Sequence, residues 1–320
     1  MKIDLTNPVF TSETKARKYL ESIRWPNGPV CPHCGAWDSA KVIKPSPGKK
    51  IRPGLYRCGG CGKQYTVTVG TVFERSKIPL NKWVLAAYLM CGSKKGISSH
   101  QMGRMMGVTH KTAWFMTHRL REAMKIGGGI MGGALGGDGK IVEADETFIG
   151  GLEKNKHAAK RKRIGRGGIG KAAVFSLVER GGAVRSQHVA NVNAKTLRPV
   201  LVSHVSRQSS LMTDEAGQYL RMGSGFARHA SVNHGKGEYV RGDVHTNTAE
   251  NYFSILKRGI VGVYHHVSEA HLSRYLAEFD FRYSNRSGIG VNDWDRTGKA
   301  LLGIEGKRLM YGGSRAPATA

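Results

Sequence analysis

From Leu80 to Lys125 the apolar positions recur at helical spacing, and beyond residue 140 they mark candidate strands mixed with further helices. A short amphipathic helix is expected around Ser12 to Ser22, followed by a turn at Arg24-Trp25-Pro26-Asn27-Gly28. Leu80 to Met90 is apolar and helical in character, and Ser98 to Lys125 reads as two helices parted by Gly107-Val108-Thr109. Ser98 and Ser99 are suited to cap the first of that pair, whose buried stripe is Met102, Met105 and Met106, and Thr109 can cap the second. In the second, Ala113, Met116, Leu120 and Met124 repeat at helical spacing, leaving His110, Lys111, Thr112, Phe115 and Arg119 on the outer side. Candidate strands follow at 140–149, 171–180 and 183–192, then a helix near 194–205 and an apolar strand ending at Thr213. Helices near 246–258 and 268–284 complete a mixed α/β order, and the last ten residues read as frayed.

Between the two regimes lies GGGIMGGALGGDG, residues 127–139, where repeated glycine would cost any regular element backbone entropy. The chain therefore divides into an amino-terminal helical segment (1–28), a cysteine module (29–75), a helical domain (76–126), the glycine-rich linker (127–139), an α/β core (140–290) and a carboxy-terminal tail (291–320). No internal repeat is visible.

Charge changes the picture. Lys and Arg number 50 against 23 Asp and Glu, a formal net charge of +27, in a chain whose hydrophobic fraction of 40% is ordinary for globular protein. A surface so basic repels itself unless its usual partner is a polyanion, and nucleic acid is the leading candidate. No run of eighteen or more apolar residues occurs and MKIDLTNPVF lacks a signal-peptide core, so a cytoplasmic protein with no membrane association is expected, nucleoid-associated when bound to DNA.

Four of the five cysteines form two C-x-x-C knuckles, Cys31-Pro32-His33-Cys34 and Cys58-Gly59-Gly60-Cys61, a spacing that lets two hairpin tips converge on one tetrahedral zinc ion. Cys91, in an apolar helix, is expected in the core. On the outer side of the second paired helix, Lys111, Thr112 and Arg119 are of the types that reach phosphates and base edges from a helix-turn-helix. The basic run from Lys154 to Arg166, with Lys160, Arg161, Lys162 and Arg163 at its centre, reads as a phosphate-contacting arm.

Acids are few enough to be informative. In Val142-Glu143-Ala144-Asp145-Glu146 side chains alternate faces, so Asp145 and Glu146 are not expected to serve one site together. Asp214 stands where an apolar strand ends, the usual place for a site in an α/β sheet. Glu250 shares a polar helix stripe with Asn247, Ser254 and Lys257, opposite an apolar face of Ala249, Tyr252, Phe253, Leu256 and Ile260. Three such carboxylates could hold divalent cations, magnesium or manganese, against a phosphodiester. His245, His234, His265 and His266 are further candidates for contact with DNA or metal.

The segments CPHCG, RCGGCGKQYTVTVGTVFERSKIPLNKW, VEADETFIGG, LMTDEAGQY and VHTNTAENYFSILKRGIVGVYHHVSEAHLSRYLAEFDFRYSNR resemble the zinc-ribbon-bearing DDE transposases of bacterial insertion sequences, the ISXO-type group related to the Merlin elements, from about residue 10 to about residue 290. That resemblance implies a ribonuclease-H-like core with Asp145 on its first strand, Asp214 after a later strand and Glu250 on a following helix as catalytic and magnesium-binding residues. Asn247 or Asn251 is an alternative third ligand. It also implies that Lys257, with Arg258 beside it, contacts DNA, that the amino-terminal modules bind inverted repeats, and that a homodimer or larger assembly acts on double-stranded DNA. The rival readings are a DNA-binding protein derived from a transposase without its chemistry, and a nuclease on the same fold.

Overall fold

The computed structural model describes residues 4–44, 51–125, 133–151, 153–161, 168–219 and 222–310. Contacts between Cα atoms group them into two units: one of residues 1–93, 97–124 and 292–320, the other of residues 94–96 and 125–291.

In the first unit, α1 (Pro8–Thr11) and α2 (Glu13–Arg24) precede a three-stranded antiparallel sheet of β1 (Ala40–Val42), β2 (Tyr56–Cys58) and β3 (Gln64–Tyr65). Such short strands cannot support themselves. Trp25, Tyr56 and Tyr65 pack edge-to-face and stacked with centroids 5.6–5.8 Å apart, and Arg24 at the end of α2 donates to the carbonyls of Val67 and Val69, both at 2.8 Å. α3 (Leu80–Gly92) buries Trp83, Val84, Met90 and Cys91. The expected helix pair is α4 (Ser99–Met106) and α5 (His110–Met124). Ser98 Oγ accepts from the Gln101 amide at 3.2 Å and Thr109 Oγ1 from the Thr112 amide at 3.3 Å, while Gly107 takes the left-handed φ of 60° that ends α4.

The stretch read as a tail contains a further helix, α9 (Asp293–Leu302), which packs on α3. Trp294 joins a cluster with Phe10, Tyr19 and Tyr88, and Arg296 donates to the Cys91 carbonyl at 2.7 Å. The last ten residues, expected to fray, lie outside the described ones.

The second unit is a three-layer α/β core. Its sheet runs β6-β5-β4-β7-β8, from β4 (Ile141–Ile149), β5 (Ala172–Glu179), β6 (Val184–Val189), β7 (Ser210–Thr213) and β8 (Arg228–Ser231). β4, β5 and β6 are antiparallel, whereas β7 and β8 run parallel to β4. One face of the central strands, with Val142, Ala144, Phe175 and Leu177, packs on Leu197 and Leu201 of α6 (Ala194–His204) and on Tyr219, Met222 and Phe226. The other face, with Ile149, Val174 and Val178, packs on α7 (Asn247–Gly259) and α8 (Glu269–Ser284). β5 is apolar on both sides because both of its faces are covered.

The expected linker lies outside the described residues up to position 132, but its second half belongs to the core. Leu135 is buried there, its amide donating to the His204 carbonyl at 2.7 Å and its carbonyl accepting from the Ser206 amide at 2.8 Å. The expected strands and helices of the core otherwise appear within a few residues of their predicted bounds, with β8 added.

Candidate functional site

β4 pairs in parallel with β7 only through Ile141–Ser210, Val142–Leu211 and Glu143–Met212. β7 stops at Thr213, so the β4 edge at Asp145 and Glu146 has no strand beside it, and Asp214 turns into that space. Carboxylate oxygens of Asp145, Glu146 and Asp214 lie within 4.8 Å of one another. Pleating does send Asp145 toward the α7 face and Glu146 toward Tyr219, but with the neighbouring strand gone both can lean around the open edge. The expectation that alternation keeps them from one site is therefore corrected.

Each acid is anchored. The Glu146 amide donates to Asp145 Oδ1 at 2.7 Å, the Ala216 amide to Asp214 Oδ1 at 3.0 Å, and Gln218 Nε2 to Glu146 Oε1 at 3.2 Å. Glu250, on α7, is exposed and outside this trio, though its charge acts on Asp145. Asn247 is exposed at the start of the same helix.

Burial pushes the Asp145 carboxyl from 3.8 up to about 7; the Glu146 amide pulls it down, and the charges of Glu146, Asp214 and Glu250 add to the rise. Burial also raises Glu146 and Asp214. Three crowded acids, in a chain of net charge +27, are the donor set a hard divalent cation takes. Without a cation the folded state holds a proton on Asp145 that the unfolded chain has released, so stability present below about pH 4 is lost as pH rises through about 7. The loss approaches roughly 4 kcal/mol, from about three units at 1.36 kcal/mol each. Magnesium or manganese is expected to raise the melting temperature at pH 8 much more than at pH 5; equal shifts at both would show that no cation enters the acid cluster.

A fourth acid, Glu143, was not singled out by the sequence. It is fully buried and accepts from Arg180 Nε at 2.6 Å, the Thr248 amide at 2.8 Å, Thr248 Oγ1 at 2.9 Å and the Ala249 amide at 2.9 Å. Thr246, at the cap position of α7, makes no side-chain cap bond. Glu143 caps that helix from β4 instead, placing a carboxylate at the positive end of the helix dipole. Arg180 donates to the carbonyls of Asp243 at 2.8 Å and His245 at 2.9 Å, and His245 Nδ1 lies 3.3 Å from Glu143 Oε1. His245 is thus part of the clamp that sets α7, and with it Glu250, against β4. The signal was in the sequence: Glu143 sits two residues before Asp145, on the same face of the strand. Glu143→Ala is expected to destabilise the core by about 3–5 kcal/mol, the cost of breaking a buried ion pair. Urea denaturation checks this; a loss under about 1 kcal/mol would make the clamp incidental.

In the other unit Cys31, Cys34, Cys58 and Cys61 form a second ligand group, with sulfur separations of 3.7 Å (Cys31–Cys61) and 3.6 Å (Cys34–Cys58). A tetrahedral zinc ion with Zn–S bonds of about 2.3 Å has edges of about 3.8 Å, so the thiols present fit that ion. The Cys61 amide and the Ser39 hydroxyl draw the Cys58 thiol down to about 6, toward the thiolate that a zinc ion takes. Cys91 is buried in α3 and belongs to neither group.

Residues 134–284 match the ISXO2-like transposase domain family and residues 11–64 the transposase zinc-ribbon domain family. An uncharacterized protein in transposable element ISH50 of Halobacterium salinarum is 32% identical over 286 residues, covering 85% of this chain and 91% of its own length. The chain belongs to the ISXO2-like insertion-sequence transposases. No solved structure gives a significant match. The transposase domain match contains the carboxylate trio, and the zinc-ribbon match contains all four clustered cysteines.

Of the residues expected to meet DNA, Lys111 is exposed on α5, while Arg119 lies over the Phe115 ring at 4.6 Å and donates to the Glu74 carbonyl at 3.2 Å. Thr112 is half-buried, its hydroxyl 2.9 Å from that of Thr109. Lys257 and Arg258 are exposed at the end of α7. In the basic run Arg161 is exposed and donates to the Lys156 carbonyl at 2.9 Å; Lys162, Arg163 and the side chain of Lys160 lie outside the described residues. No helix among the described residues is long and apolar enough to cross a membrane.

Proposed function

We propose that this transposase cuts and joins DNA at the ends of its own insertion sequence, with Asp145 and Asp214 as the central pair of metal ligands and Glu250 as the third, approaching from α7. The observation that carries the reading is the convergence of half-buried acids from β4 and the end of β7 in a chain otherwise strongly basic. The strand order, three antiparallel strands continued by two parallel to the first, supports the ribonuclease-H-like core. Bound magnesium or manganese would supply the positive charge that stabilises the attacking and leaving oxygens of an in-line displacement.

The chain's own residues do the rest. Asp145 and Asp214, fixed by the Glu146 and Ala216 amides, present oxygens that need not reorganise. Glu143 holds the α7 start so that Glu250 stays on the Asp145 side. Glu146 braces the cluster from the opposite face through Gln218. Lys257, seven residues after Glu250 on the same stripe, binds a phosphate next to the reacting one, with Arg258 beside it. The zinc ribbon and the α4–α5 pair, acting as a helix-turn-helix through Lys111 and its neighbours, recognise the inverted repeats, and two copies bring two ends together.

Purified protein, a labelled element end, a target plasmid and magnesium test this in one reaction. Joined products support the proposal, hydrolysis alone supports a nuclease, and a shifted but uncut end supports a binding protein without chemistry.

A further inference from the structure

The core carries a second built feature, a cavity of about 500 Å³ where the end of β4 meets the turn after α7. Phe148, Ile260 and Val267 give it apolar wall, Lys171, Lys257 and His266 stand among its lining, and no acidic residue among the described residues lines it. Val261, 70% exposed, forms part of the wall and also borders a second hollow lined by Lys95, Lys257 and Arg258. The turn itself is unusual: Ile260–Tyr264 is a π-helix, and His265 after it has φ 60° and ψ −47°, outside the regions a non-glycine residue prefers. Backbone held in this way is concentrated at ligand clamps. The Tyr264 hydroxyl, bonded to Glu278 at 2.7 Å, helps hold it.

Apolar wall beside lysines is a chemistry for a flat, uncharged ring joined to an anion. A free phosphate would need no apolar wall, and an aliphatic ligand no cations. The cavity's size suits one nucleotide, and its place narrows the source. α7 starts at Glu143 and ends beside Ile149, so it runs alongside β4 in the same direction. From Glu250 to Lys257 is seven helical residues, roughly 10 Å at 1.5 Å each, the reach of one or two nucleotides of stretched strand.

We propose that the cavity receives one unpaired nucleotide of the strand that adjoins the reacting phosphodiester, its base against Phe148, Ile260 and Val267 and its phosphate at Lys257 and Lys171. The inference rests on the reading of the acid cluster as the DNA-cutting site. Taking a base out of the stack costs energy, which stacking on apolar side chains and phosphate contacts offset, and DNA that is already unpaired escapes that cost.

The test uses the full-length, zinc-loaded protein in calcium and two fluorescein-labelled duplexes, one blunt and one bearing a short thymidine tail on either strand. The wild type is expected to bind one tailed duplex about tenfold more tightly than the blunt one, the order of a single stacked base. Gly151 lines the cavity and a Cβ there meets nothing within 4 Å, so Gly151→Phe adds a ring at the cavity's lining without a clash at its root. Gly151→Phe, checked by thermal melting, is expected to erase the preference and leave blunt-duplex affinity unchanged, and Lys171→Ala to narrow the preference. A wild type indifferent to both tails, or a folded Gly151→Phe that keeps the full preference, overturns the proposal. Failure of the underlying reading looks different: the wild type would not cut or join DNA whatever its tail preference.

Discussion

Asp145→Asn and Asp214→Asn are each expected to lower strand joining at least about a thousandfold while leaving the binding of element ends unchanged. Cation-borne charge stabilisation in a displacement at phosphorus is worth several kcal/mol, and each 1.36 kcal/mol is a factor of ten in rate. An amide keeps the shape of the side chain and loses the anionic oxygen, so ligand loss and misfolding are separable. Asp145→Asn also carries a signature that a merely structural carboxylate would not. Burial disfavours the ionised form, which holds the Asp145 carboxyl up to about 7. The neutral amide removes that cost at pH 8, so the cation-free variant should melt above the wild type. It should also lose most of the stabilisation by magnesium. A variant that melts lower and no longer binds ends would assign Asp145 to the scaffold and remove the basis for metal-dependent chemistry.

The parts of the site legible in the sequence were those set by local pattern. Asp214 was legible because an apolar strand ends just before it, and the apolar stripe of α7 marked the polar face that carries Glu250, which lies outside the trio. Glu146 was set aside because the period-two rule is a statement about Cβ directions inside a paired strand. It does not know that β7 ends one residue before Asp214 and leaves the β4 edge open. Glu143 was passed over for a related reason. Its role depends on which helix start arrives opposite β4, and the Thr248 and Ala249 amides lie more than a hundred residues away in sequence.

Two elements escaped for different causes. β8, with the sequence Arg-His-Ala-Ser and only four residues, lies at the sheet edge and has no apolar alternation to declare it. α9 did carry signals: Asn292 accepts from the Asp295 amide at 2.9 Å, and acids occupy its first turn. Its place after a long core made it read as a tail, whereas it packs with α3 in the amino-terminal unit. A chain that leaves one unit and returns to it gives no local sign of doing so.

Removal of zinc is expected to have the largest effect on stability. Binding of a structural zinc ion contributes roughly 10–16 kcal/mol at neutral pH, more than a sheet of three short strands can replace. The four thiols would then face one another without a charge to hold them, and the Cys58 thiol, drawn down by the Cys61 amide and the Ser39 hydroxyl, would lose the cation that balances its charge. Chelation, or Cys31→Ser and Cys58→Ser, should therefore unfold the ribbon and release the ring cluster of Trp25, Tyr56 and Tyr65. Near-ultraviolet circular dichroism reads that cluster directly, and end binding should fall with it. The acid cluster is assembled from β4 and the end of β7 and takes nothing from the cysteines, so magnesium should still stabilise the zinc-free chain at pH 8. An unchanged aromatic spectrum together with intact end binding after complete zinc removal would mean that the knuckles neither build the ribbon nor serve recognition.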